Sequence, residues 1–364
     1  MTVKVSKPAI NVREELADLR KPTGVAGQAM LAAETPQEQF QLIGAGRRNL
    51  LINGDFQVSQ RGDFTSASSA TNGAYFVDRW YADTNTTINK QQTTGIDLDG
   101  TPAITKGVKL TATASASAYM GIRQKIENPT QYVGRTLTYS GYVRSNNPNA
   151  RLTTFIADTA GTTNQVVSSN AHSGNGQWEK LSVTFTMTSN ATSAWFVSAF
   201  ISSSAVGNVS ISSGDYIEVT MLQMEIGKVA TPFEHRSYGE ELLLAQRFYY
   251  QVGKSNGDTL SNFGFSRGGG YLNYVYATIP RPVFMRATPT VNGGGNLRGT
   301  TFSGGYATKS VSVTASNLLG FDNADAASSV SGVRLEFDSA WTTGDEVIIS
   351  DHDGTGFISF DAEL

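Results

Sequence analysis

Asp351-His352-Asp353-Gly354, preceded by Asp345 and Glu346, is the densest grouping of titratable side chains in the sequence. Two carboxylates flanking an imidazole can hold a divalent cation. An Asp-Gly turn between two strands explains the same residues without a ligand, and that reading is preferred. Asp55 and Glu218 lie near the two ends of one strand-rich stretch and offer the oxygen ligands that Ca²⁺ takes. Their plain alternative is a pair of surface carboxylates at a strand edge. Asp78-Arg79-Trp80 sets an aromatic face beside an ion pair, which is a combination able to carry a sugar ring. The preferred reading is structural: Trp80 in the core, and Asp78 paired with Arg79 to pin a loop.

Reaction chemistry finds little support. Glycoside cleavage needs two carboxylates at a defined separation, and none of the 31 acidic residues stands in a recognisable context for it. His172 lies in a Gly/Ser/Asn loop, and neither it nor His235 has a nucleophile elbow nearby. The glycine triplets at 268–270 and 293–295 lack the Lys-Ser or Lys-Thr of a phosphate loop. With no cysteine, disulfides, thiolate metal sites and thiol catalysis are excluded. A net charge of −3 argues against nucleic acid as a partner. Residues 1–9 lack the apolar core of a signal peptide, and no run approaches transmembrane length, so membrane insertion is not expected. A non-catalytic protein is the expectation.

The elements that must position these residues follow from composition and pattern. A chain of 364 residues exceeds one ordinary core. Its 37 glycines, with only 16% charged residues, suit a mainly β fold of many short strands. Residues 1–48 carry a balance of +2 and read as short helices. Asn11 with Glu14 forms a capping box, and Thr35-Pro36-Gln37-Glu38 is a second start signal. Residues 49–239 read as a β-sandwich, clearest at 122–126, 136–143, 152–156, 178–187, 194–201 and 216–224. Leu181, Val183, Phe185 and Met187 alternate with Ser182, Thr184 and Thr186. Ile217, Val219 and Met221 cannot share a face with Leu222 and Met224, so a bulge or two-sided burial is expected there. Residues 240–364 read as a linking helix at 240–250 followed by a C-terminal β domain, with Leu243, Leu244, Arg247 and Phe248 as the apolar stripe. From Gly320 onward, Arg334 is the only basic residue against ten carboxylates. Contact of that end with an anionic surface is therefore expected to depend on bridging divalent cations.

Two stretches carry a resemblance. The first is Asn49-Leu50-Leu51-Ile52-Asn53-Gly54-Asp55-Phe56 with Asp78-Arg79-Trp80-Tyr81. The second is Leu222-Gln223-Met224-Glu225-Ile226-Gly227, Thr231-Pro232-Phe233-Glu234-His235-Arg236 and Gln246-Arg247-Phe248-Tyr249-Tyr250. Together they resemble bacteriophage tail-fibre proteins, particularly those of phages of marine bacteria and cyanobacteria. The sandwich also resembles a jelly-roll carbohydrate-binding module in its opening Asn-Gly-Asp-Phe, its Trp178-led strand and its closing strand. The first resemblance implies a homotrimer that contacts phage tail proteins through residues 1–48. The C-terminal region would then touch a host surface glycan or other receptor, in a virion assembled in the host cytoplasm. On that basis Tyr271, Tyr274, Tyr306, Trp341 and His352 are the candidate receptor contacts. The second resemblance implies a structural Ca²⁺ between first and last strands, for which Asp55 and Glu218 are the candidates; Asp351 and Asp353, read from their own cluster, are a separate candidate metal pair. A structural virion component and a glycan depolymerase are the competing functions.

Overall fold

The computed structural model of the chain describes residues 47–96, 98, 105–157, 163–188, 194–253, 265–267, 274–294, 296–301, 307–312, 318–320, 330–336, 346–351 and 355–363. The helices expected before residue 47 lie outside the described residues.

Thirteen strands build the sandwich: β1 (Ser68–Ala70), β2 (Tyr81–Thr84), β3 (Ile88–Ile96), β4 (Thr105–Ala112), β5 (Ala116–Ala118), β6 (Met120–Ile126), β7 (Thr136–Ser145), β8 (Ala150–Ala157), β9 (Thr163–Ser168), β10 (Trp178–Thr186), β11 (Ala194–Ile201), β12 (Val209–Ile211) and β13 (Tyr216–Ile226). One sheet runs β1-β3-β4-β13-β7-β10 and the other β2-β6-β11-β8-β9, with β12 and β5 as a separate pair. Consecutive strands cross between the sheets, as β6, β7 and β8 do, giving the β-sandwich that the alternation implied, with the jelly-roll-like order that the resemblance implied. The core between the sheets takes Val108, Leu110, Leu137, Tyr139, Ile217 and Val219 from the first and Ile122, Leu152, Trp195 and Val197 from the second. On β10, Leu181 and Phe185 are buried while Ser182, Thr184 and Thr186 face solvent, as a period of two requires.

The conflict expected on β13 is resolved by a bulge. Pairing with β7 shifts register between Thr220 and Gln223, and Met221 takes a left-handed φ of 51°. Ile217, Val219, Leu222 and Met224 all enter the main core. Met221 turns to the opposite face, against Ile96, Leu98, Tyr142, Trp178 and Phe233. The bulge explains the opening motif. Leu222 N–H donates to Gly54 O at 2.8 Å rather than into the ladder. Asn49 spans the bulge, donating Nδ2 to Leu222 O at 3.1 Å and accepting Met224 N–H at 3.1 Å. A Cβ on Gly54 would collide with the Leu222 carbonyl, so this close backbone approach requires glycine.

One expectation after the sandwich needs correction. The linking helix is shorter than 240–250: α1 spans Tyr238–Gln246, with Ser237 as its cap accepting Glu240 N–H. Tyr249–Gly253 is a strand instead, paired with Phe357–Asp361, because Tyr-Tyr-Gln-Val suits a strand once a partner edge exists. The buried face of α1 is Glu241, Ala245 and Gln246, and Leu243 is 48% exposed. Gly293 and Gly294, whose type suggests a turn, lie in the strand Thr290–Gly294. The other described C-terminal strands form two further sheets, one of Phe265–Arg267, Glu346–Asp351, Asn296–Thr301 and Ala307–Ser312, the other of Tyr274–Pro280, Val330–Glu336 and Leu318–Gly320.

Candidate functional site

Asp78-Arg79-Trp80 is a structural joint. Trp80 is fully buried, its indole N–H donating to Asn53 O at 2.9 Å. Asn53, itself at φ 59°, holds the turn by accepting Val58 N–H at 2.9 Å and donating to Asp78 O at 2.9 Å. The Asp78–Arg79 pair expected from sequence does not form. The left-handed φ of 72° at Arg79 sends the two neighbouring side chains to different partners. Asp78 faces Arg61 at 3.6 Å and accepts Gln60 N–H at 3.0 Å. Arg79 pairs with Glu363, donates to Lys125 O at 2.7 Å and lies 3.6 Å from the Phe248 ring centroid. Arg61 reaches Glu363 and Asp361 at 3.4 and 3.5 Å and lies over Tyr249. This network welds the C-terminal strand to the sandwich. Burial pushes the Asp78 carboxyl up to about 6, against the opposing pull of Arg61 and the Gln60 hydrogen bonds.

Of the other expected site residues that are described, Asp55 and Glu218 take separate partners. Gly54 lies level with Leu222, four residues along β13 from Glu218, or roughly 13 Å at a strand's rise per residue. Gln57 hydrogen-bonds the Asp55 carboxylate, which burial raises above its ordinary range. Glu218 is engaged by Arg144. These two carboxylates therefore do not fit one shared Ca²⁺. Among the described residues, no three or more of His, Cys, Asp and Glu cluster to hold a metal ion. Asp351 ends the strand Glu346–Asp351, and Tyr274 opens the strand Tyr274–Pro280 opposite Glu336. Tyr271, Tyr306, Trp341, His352 and Asp353 lie outside the described residues.

A cleft that the sequence does not announce lies on the outer face of the six-stranded sheet. Register places Trp178 opposite Arg144, Arg144 opposite Glu218, Glu218 opposite Lys109, and Lys109 opposite Gln91. Residues directly opposite on neighbouring strands share a face, so this row crosses β10, β7, β13, β4 and β3. Arg144 Nε donates to Glu218 Oε2 at 2.8 Å, and its guanidinium lies 5.0 Å from the Trp178 ring centroid. Beside them β3 bulges between Thr93 and Ile96, with Gly95 at φ 68°. The resulting cleft of about 490 Å³ is lined by Gln91, Thr93, Thr94, Arg144, Trp178 and Glu218 among others. That volume falls in the small-ligand range of about 300–1,000 Å³.

Two of its lining residues carry a buried oxygen that makes no hydrogen bond among the described residues: Glu218 Oε1 and Thr93 Oγ1. Buried polar atoms are rarely left this way, and each costs about 1–3 kcal/mol. Sequence reasoning reaches Glu218 as a metal ligand, but it misses Arg144 as its partner and gives the indole of Trp178 no binding role. One signal is present in the sequence. Trp178 has the parity of Ser182, Thr184 and Thr186, so an aromatic stands on a polar face.

No family model matches the chain, and no curated protein matches it. Among solved structures it is similar to the enzymatically active domain of bacteriophage CBA120 tailspike protein 4, at 12% identity and a TM-score of 0.33; the match covers 49% of this chain and 21% of that one. It is also similar to the CBM22-1 xylan-binding domain of Paenibacillus barcinonensis Xyn10C (17% identity, TM-score 0.29, covering 46% and 99%). A third likeness is to the family 11 carbohydrate-binding module of Clostridium thermocellum (10% identity, TM-score 0.30, covering 45% and 98%). These proteins differ in activity, so function has to come from the site. Among the described residues, no helix is long and apolar enough to cross a membrane.

Proposed function

We propose that this protein is a non-catalytic tail fibre of a bacteriophage, a homotrimer that attaches the virion to a glycan on the host surface. The observation that carries this reading is the cleft. It combines a half-buried indole, amide and hydroxyl side chains and two unpaired oxygens, which is the equipment for holding a polyhydroxylated ring. Among the described residues lining it, Glu218 is the one carboxylate and it is tied to Arg144, whereas hydrolysis of a glycosidic bond takes two. The motifs at 49–56 and 222–236 support the tail-fibre assignment. Repetition on a trimer, and on several fibres of one particle, raises avidity by about 10²–10⁴, so a shallow site suffices.

Adsorption competition tests the reading. Purified full-length chain is expected to block attachment of the phage to its host and to sediment as a trimer. Absence of blocking at saturating concentration favours a structural virion component. Release of new reducing ends from host polysaccharide would identify an enzyme.

A further inference from the structure

We infer that the cleft across β3, β13, β7 and β10 binds an uncharged pyranose, stacked on Trp178 and hydrogen-bonded by Glu218 Oε1 and Thr93 Oγ1. The inference rests on the glycan-attachment reading and adds to it a site, a ligand class and a role for each residue.

The ligand class follows from what the lining lacks. Glu218 Oε1 can only accept, so its missing partner is a donor; a sugar hydroxyl supplies one and a carboxylate does not. Thr93 Oγ1 both donates and accepts, which suits a second hydroxyl. An acidic sugar would set its carboxylate against the unpaired Glu218 oxygen. The positive charge that would offset this is already engaged, because Arg144 holds Glu218 through Oε2. Lys109, the next residue in the row, lies with its Nζ 4.3 Å from the Tyr216 ring centroid and is not part of the lining. Gln91 and Thr94 supply amide and hydroxyl groups without net charge.

Trp178 supplies the platform. The polarised C–H bonds on one face of a pyranose meet the negative face of an indole, while its polar edge stays free for hydrogen bonding. Arg144 lies 5.0 Å from the ring centroid, and the ring packs against the Met221 cluster. The β13 bulge that turns Met221 outward therefore also supports the platform. Without that extra residue Met221 would keep the parity of the core.

The test titrates full-length protein with neutral oligosaccharides (xylo-, manno- and galacto-oligosaccharides) and with oligogalacturonate, read by calorimetry and tryptophan fluorescence. Binding of a neutral oligosaccharide is expected, weakened at least about tenfold by Trp178→Ala and several-fold by Thr93→Val. Trp178→Phe is expected to remove the ligand-dependent fluorescence change. Thr93→Val keeps a β-branched side chain on the strand and removes only the hydroxyl partner, so it serves where Trp178→Ala fails to fold. Neutral binding unchanged by both variants overturns the site and leaves the glycan reading standing. Binding of oligogalacturonate alone, lost in Trp178→Ala, overturns the ligand class. No binding of any glycan overturns the glycan reading and this inference with it.

Discussion

Two places on the sandwich bring together an arginine, a carboxylate and an aromatic ring, and they end in opposite states. At the joint, Arg79 lies over Phe248 and reaches Glu363, with 2% and 5% of the two charged side chains exposed. At the cleft, Arg144 lies beside Trp178 and reaches Glu218, yet 37% of Arg144 is exposed. The residue types match, so they do not decide the outcome. What decides it is closure. The strand Phe357–Asp361 and the residues after it seal the first set, whereas space for a ligand remains beside the second. A charged group over a ring is thus a strut where a segment of the chain closes on it and a candidate site where none does.

The largest effect that could break this comparison is at the strut. Arg79→Met leaves Glu363 with Arg61 alone and the Lys125 carbonyl without its donor, and breaking a buried ion pair costs up to about 3–5 kcal/mol. Urea unfolding of the full chain should show a lowered midpoint of that size. Trp178→Phe, at the cleft, keeps an aromatic on a half-buried position and is expected to change stability by less than about 1.5 kcal/mol. Equal costs at the two places would mean that closure does not separate them.

The next effect is electrostatic. Asp78 holds its proton up to about pH 6 in the folded chain, whereas the unfolded chain releases it near 3.8. Between those values the folded state binds more protons, so stability falls as pH rises from 4 to 6 and is recovered on acidification. The cost above pH 6 is about 2–3 kcal/mol for this group. Asp55, Asp83 and Glu241 are also raised by burial and add slope of the same sign. Comparison with Asp78→Asn isolates its share. Stability of the wild type minus that of the variant should decline between pH 4 and 6.5, and a flat difference would remove Asp78 as the cause.

These residues show how far sequence can lead. Alternation on one strand is local, so the faces of β10 and the conflict on β13 are legible in the residues alone. Closure is not local. That Asp78 and Arg79 point apart depends on one left-handed φ, and that Arg79 is sealed depends on Glu363, 284 residues away. The cleft needs the register of β3, β4, β13, β7 and β10 together, and a slip of one residue would turn Trp178 into the core. Glu218 stands out in the sequence as a carboxylate, but only register reveals that its neighbour is Arg144 and not Asp55. At α1, helical spacing extends the stripe to Phe248, but strand pairing with Phe357–Asp361 ends the helix first.

The smallest effect tests the joint against itself. Its rim carries Glu127, which meets Arg247 and, at 3.2 Å, Arg286. Chemically this repeats Arg79 with Glu363, but Glu127 is 25% exposed and Arg247 45%. Exposed pairs surrender most of their attraction to water and side-chain entropy, so the Glu127–Arg247 coupling in a double-mutant cycle should be about 0.2–1 kcal/mol and shrink in salt. The Arg79–Glu363 coupling should be about 2 kcal/mol or more and nearly independent of salt. Both pairs tie residues after the sandwich back to it, Arg247 from the end of α1 and Glu363 from the C-terminal end, and they differ most in exposure. If the rim pair proved as strong as the buried one, proximity and not closure would set the energy. Arg144 with Glu218 would then be as much a strut as Arg79 with Glu363, and the space beside it would lose its meaning as a site.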